Sequence, residues 1–158
     1  MSKKRSGSKP AIASACYIVQ IDDWDWSYSF GVNEDRYDKR PYSDYRHMVV
    51  LGKVLLPTKL KRKAEAVELT FMPDTGPSYS DQKEERRPLS VGYVDVRDGR
   101  VTGGFTMAID ALDLVMRMLL AARFKYLILD GEAMRYRKAR IRHYRFETKV
   151  NLEEYPDD

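Results

Sequence analysis

The sequence predicts a mainly β domain, a β-sandwich or open barrel of about seven or eight mostly antiparallel strands, with one short amphipathic helix near residues 110–123. Three observations carry that prediction. Residues 24–32 alternate strictly between large apolar and small or polar side chains, the period of a strand with two unlike faces. Two Asp-Gly dipeptides, Asp98-Gly99 and Asp130-Gly131, are strong signals for two-residue hairpin turns. Apolar residues recur at helical spacing in one segment, and no series of alternating strands and helices suggests a parallel sheet.

In chain order, residues 1–10 (Lys3, Lys4, Arg5 and Lys9 among Ser, Gly and Pro) read as a disordered basic tail. Residues 11–150 form the single globular domain, and residues 151–158 an acidic, frayed C-terminus. Residues 12–21 read as a strand. Asp22-Asp23 is suited to a turn, which makes 12–21 and 24–32 a hairpin. Trp24, Trp26, Tyr28, Phe30 and Val32 then supply the buried side of the second strand, opposite Asp25, Ser27, Ser29 and Gly31. Residues 33–44 are polar and irregular, a loop.

Residues 45–56 are the next strand, with Gly52 marking a bulge and Pro57 ending it. Residues 58–63 are basic. Residues 64–72 alternate, with a slip of phase near Ala66 that suggests another bulge. Pro73 to Pro88 is a long polar loop. Val91–Val96 and Val101–Met107 flank the first Asp-Gly turn. Asp110 stands where a helix cap belongs, ahead of Leu112, Val115, Met116 and Leu119, with Arg123 near the end. Tyr126–Leu129, the second Asp-Gly turn and a long strand, about Met134–Phe146, complete the fold.

Eleven tyrosines and two tryptophans among 158 residues provide apolar mass for a core. Cys16 is the sole cysteine, so no internal disulfide forms; the residue reads as a small core hydrophobe in a reducing compartment. No apolar run is long enough for a membrane-spanning helix. Lys3-Lys4-Arg5 ahead of Ala11–Ile21 loosely resembles a secretory signal, but no hydrophobic region precedes Cys16, and Asp22-Asp23-Trp24-Asp25 is no cleavage site. The expected location is cytoplasmic, with no membrane partner.

Net charge is +4 but uneven. The N-terminal tail and an acid-free run at 135–145 together carry more positive charge than the whole chain nets, so the rest is acidic. That run supplies the candidate site: Arg135, Arg137, Lys138, Arg140, Arg142 and Arg145. In an extended strand Lys138, Arg140 and Arg142 share a face with Tyr136, Tyr144 and Phe146. Cations spaced along a strand and flanked by rings suit a phosphate backbone with stacked bases. The competing reading is a charged face in water that discourages edge pairing.

Nothing else in the chain has the spacing of a site. Asp22, Asp23, Asp25, Glu34, Asp35 and Asp38 lack the pattern of a calcium loop and read as turn residues. His47 and His143 stand in no catalytic or zinc-binding string. Gly103-Gly104 is no phosphate loop. The expectation is a non-enzymatic binding or adaptor domain contacting nucleic acid or another polyanion, with no cofactor and no metal. Two rivals are a protein–protein interaction module, of inhibitor, immunity or assembly-subunit type, and an enzyme whose acids and histidines converge only in three dimensions.

Overall fold

A computed structural model describes residues 12–34, 39–74 and 89–157. The expected loop at 73–88 and the basic tail lie almost wholly outside those residues. Among the described residues seven strands form one closed barrel: β1 (Ser14–Val32), β2 (Tyr42–Leu56), β3 (Ala66–Pro73), β4 (Gly92–Arg97), β5 (Arg100–Met107), β6 (Tyr126–Glu132) and β7 (Lys138–Glu147). Their order around the barrel is β1-β2-β3-β5-β4-β7-β6, with β6 returning to β1. The mainly β class with one short helix is therefore correct, and of the two architectures expected it is a barrel, closed rather than open. All pairings are antiparallel except β3 with β5.

The interior is apolar and filled. Met48, Val50, Leu69, Phe71, Phe105, Leu127, Leu129 and Ile141 are fully buried. Phe71 stacks on Phe105 with ring centroids 5.0 Å apart, and Tyr144 meets both edge-on. Such offset and edge-to-face contacts are the favoured geometries of ring quadrupoles. The helix α2 (Ile109–Leu120) closes one end through Leu112 and Leu119. Asp110 lies in its first turn and Ala108 is the cap residue, so Asp110 acts through the helix dipole and not as a capping side chain. The other end is plugged by Leu60 of α1 (Thr58–Lys61), a one-turn helix within the basic segment that was not foreseen.

Asp22-Asp23 makes no turn. β1 runs straight through it as one 19-residue strand with a bulge between Ile21 and Asp23. The extra residue moves the inward phase from Tyr17, Val19 and Ile21 to Trp24 and the even positions beyond it. Gly52 sits opposite, where a Cβ would lie 2.0 Å from the Gln20 carbonyl oxygen; only glycine lets the strands approach that closely. Past the bulge, β1 pairs with β2 alone among the described residues, and β3 covers β2 only from Met48 onward. Residues 24–32 and 42–47 therefore leave the barrel as a two-stranded ribbon. Its supposed core face is open: only Trp24 is half-buried, while Trp26, Tyr28, Phe30 and Val32 are exposed.

The second Asp-Gly pair is also no turn. Asp130 and Gly131 lie within β6, opposite a bulge in β7. The hairpin turn is Tyr136-Arg137, both at positive φ (48° and 70°), closed by paired backbone hydrogen bonds between Arg135 and Lys138. Asp98-Gly99 does turn as expected, with φ of 48° and 72°. The phase slip near Ala66 marks the start of β3 rather than a bulge, since β3 pairs regularly throughout. The acidic C-terminus, expected to fray, folds back. Leu152–Glu154 form a 3-10 turn, Tyr155 packs on Ile18, Leu56 and Ile128, and Asp157 accepts hydrogen bonds from the Thr58 backbone N–H and hydroxyl.

Candidate polyanion interface at the basic end of the barrel

The six cations singled out in the sequence do not form one stripe. Arg135 and Arg137 belong to the β6–β7 turn, so the strand begins only at Lys138. From there Ala139 and Ile141 point inward and are buried, while Lys138, Arg140 and Arg142 face solvent. The bulge opposite Gly131 then shifts the phase. As a result Tyr144 and Phe146 turn inward, into the ring cluster around Phe71, and leave the arginine face they were expected to share. Burial pushes the Tyr144 hydroxyl up to about 12, and it donates to the Thr106 carbonyl at 2.9 Å.

Two of the six are tied into the fold. Arg145 pairs with Asp130 at 3.0 Å and Glu147 at 3.5 Å, and donates to the Tyr155 hydroxyl at 3.1 Å. It thus fastens the C-terminal segment to β6 and β7, and the Tyr155 bond and Asp130 raise its affinity for its proton. Lys138 lies 3.9 Å from Asp95, which is buried on the outer face and held by Arg97 at 2.8 Å. Among the described residues, Arg135, Arg137, Arg140 and Arg142 are exposed and carry no ion pair.

Topology supplies partners for these free cations that the linear sequence hid. The β6–β7 turn, the β4–β5 turn, α1 and the start of β1 all gather at the end of the barrel opposite α2 and the ribbon. They enclose a cleft of about 820 Å³. Its walls include Ala15, Tyr17, Leu60 and Met134, and three cations line it: Lys59 and Lys63 from the basic 58–63 segment, and Arg137 from the turn. Asp98 is the acid in its lining. Tyr17, buried and pushed up to about 12 by that burial, donates to the Glu132 carbonyl at 2.8 Å and stays neutral. Two recesses adjoin the cleft. One shares Lys59 and Lys63 and adds Arg62 and Asp157; the other shares Ser14, Ala15 and Pro57 and reaches Arg142.

Two exposed rings stand beside this positive surface. Tyr136, at the tip of the turn between Arg135 and Arg137, is 99% exposed. Tyr93, directly across from Arg140 in the β4–β7 pairing, is half exposed and lies over Gly104, which has no side chain to obstruct it. Lys59, Lys63 and Tyr93 were not singled out from the sequence. A basic segment at 58–63 was visible there, but its meeting with the 135–145 run depends on the closure of the barrel.

The remaining candidates divide between the ribbon and β7. Asp23 and Asp25 accept the backbone N–H groups of Trp24 and Trp26 at 2.8 Å each, on the ribbon. His47 lies on the ribbon opposite Ser27, whereas His143 is on β7, 3.3 Å from Asp130. Cys16 is half-buried; burial first, and Asp130 next, push its thiol up to about 12, so it is a poor nucleophile. No described helix is long and apolar enough to cross a membrane. Comparison with protein-family models, curated proteins and solved structures returned no match to this chain.

Proposed function

We propose that the protein is a non-enzymatic binding domain that holds single-stranded nucleic acid at the basic end of its barrel. The observation that carries this reading is the meeting of Arg137 with Lys59 and Lys63 at one cleft, with Arg142 in an adjoining recess; Arg140, Arg142 and Arg137 have no ion pair among the described residues. Cations held without acidic partners keep their charge available for phosphates. Guanidinium groups add a bidentate donor geometry that phosphate oxygens accept. Tyr136 and Tyr93 offer ring faces next to these arginines, which suits unpaired bases that stack without being read by sequence. An enzyme reading has less support, since His143 on β7 lies away from Asp23, Asp25 and His47 on the ribbon.

The test is binding of the full chain to single- and double-stranded DNA and RNA across a salt series. Affinity is expected to fall steeply with salt, the logarithmic slope being about −0.7 per phosphate contact on a single strand. Arg140→Glu with Arg142→Glu, and separately Lys63→Glu with Arg137→Glu, should each weaken binding and flatten that slope without unfolding the barrel. Tyr136→Ala should weaken binding while leaving the slope unchanged. Absence of binding at low salt sinks the proposal.

A further inference from the structure

The ribbon at the opposite end presents a surface that the nucleic-acid reading does not use. Trp26, Tyr28, Phe30 and Val32 of β1 stand on one side of it, with Tyr42 across from Val32. Phe30 stacks on Tyr42 with centroids 5.3 Å apart, and the Arg46 guanidinium lies 5.9 Å from the centre of the Tyr28 ring. Exposures run from 48% for Trp26 to 72% for Val32. Taking about 200 Å² for a ring, these five residues leave about 500 Å² of contiguous side chain in water. That is the size of the largest patch on an ordinary monomer, and such patches are often functional.

We infer that this face is the contact surface of a homodimer in which two ribbons pack face to face about a two-fold axis. Three features point to a second copy. First, the face is close to symmetric about Tyr28, with Trp26 and Phe30 one step to either side. Two antiparallel copies would set Trp26 of one protomer against Phe30 of the other, an isologous contact. Second, the charges on the face neutralise each other, Arg46 pairing with Asp44 at 2.9 Å, so two identical faces meet without like-charge repulsion. Third, two such faces covered completely would bury about 1,000 Å², the threshold for a biological interface.

Strand addition at the ribbon edge is disfavoured. Asp23 and Asp25 already occupy the Trp24 and Trp26 N–H groups and line that edge with negative charge. The aromatic face has no such protection, and a two-stranded ribbon by itself is marginal in water.

Sedimentation equilibrium of the full chain over a wide concentration range tests the inference. A monomer–dimer equilibrium is expected, with Trp26 fluorescence shifting to the red on dilution. Tyr28→Asp and Phe30→Asp should each raise the dimer dissociation constant at least about thirtyfold, and Tyr28→Phe should preserve the dimer. Near-ultraviolet circular dichroism reports whether each variant keeps its barrel. Should both aspartate variants lose it, Ser29→Asp, on the ribbon's other face, and dilution of the unaltered chain decide the matter. A wild-type chain that stays monomeric overturns the inference. So does a dimer that survives the aspartate substitutions, or a monomer whose ribbon binds lipid vesicles instead.

Discussion

The two halves of β1 are both rich in large apolar side chains, a near-continuous run in the first and a strict alternation in the second, and they meet opposite fates. In the first half Tyr17, Ile18 and Val19 are all buried, because β2 and β6 flank the strand, the barrel core lies beneath it and the folded-back Tyr155 and Val150 cover its outer side. In the second half, larger and more aromatic side chains stand in water, because β6 stops pairing at Gln20. Period-two alternation reports that a strand has two unlike faces. Burial requires a neighbour, and neighbours are a property of topology. The lesson extends to β7, where a run of arginines divides into one that fastens the C-terminus and several left free, according to which acids the fold brings within reach.

Truncating one phenylalanine in each region separates the two most clearly. Phe71→Ala should cost about 3–5 kcal/mol in denaturant unfolding, since it removes the centre of the ring cluster and leaves a cavity. Phe30→Ala should stay within about 0.5 kcal/mol in dilute protein, as for an exposed position. Comparable losses would mean that the ribbon is covered in the monomer.

The junction of the two halves can be attacked directly. Gly52→Ala should cost about 1–3 kcal/mol, as overpacking does, by forcing a methyl group against the Gln20 carbonyl. Deleting Asp22 should remove the bulge residue and invert the faces of everything beyond it. Trp26 and Tyr28 would exchange sides with Ser27 and Ser29, and the fluorescence response to dilution would vanish.

The barrel also carries a pH signature. Cys16 ordinarily titrates near 9.0 and in the folded chain near 12. Its proton is held more tightly by the native state, so stability is full below about pH 9 and declines as pH rises toward 12. Tyr17 and Tyr144, both raised to about 12, act in the same sense from about pH 10. Cys16→Ala should flatten the lower part of that decline in urea melts at successive pH values. Alkylation of native Cys16 near pH 8 should be slow compared with the unfolded chain. The smallest expected effect separates the arginines. Arg145→Ala should cost about 1–2 kcal/mol through its ties to Asp130 and Tyr155, and Arg140→Ala almost nothing.

How much of this was legible in the sequence follows from the range of each signal. The class, the Asp98-Gly99 turn and the helix rest on local periodicity and turn chemistry, and they were readable. The bulge at Asp22 left a trace, a shift of the apolar phase from odd to even positions with no glycine or proline to turn the chain, which a two-aspartate turn mimicked. Asp130-Gly131 looks like a turn because its glycine meets the local requirement; its actual role is to admit the β7 backbone, since a Cβ there would lie 2.1 Å from the Arg140 carbonyl oxygen. The candidate site was half readable. Charge clustering named Arg137, Arg140 and Arg142, but Lys59, Lys63 and Tyr93 join them only through the β3–β5 and β4–β7 pairings, which span long stretches of chain.

The two tight hairpins use the same backbone geometry with different residues. Asp98-Gly99 fits it without penalty, since glycine and aspartate tolerate positive φ. Tyr136-Arg137 holds two bulky side chains in the left-handed region, at about 1–2 kcal/mol each relative to glycine. The β6–β7 hairpin is therefore poorer than it could be, and an Asn-Gly replacement there would make a sturdier barrel. It would also delete the outermost ring and the cation at the mouth of the cleft. If that cleft holds phosphates as proposed, stability and ligand contact compete at these two positions, and a thermostabilising redesign should leave that turn alone.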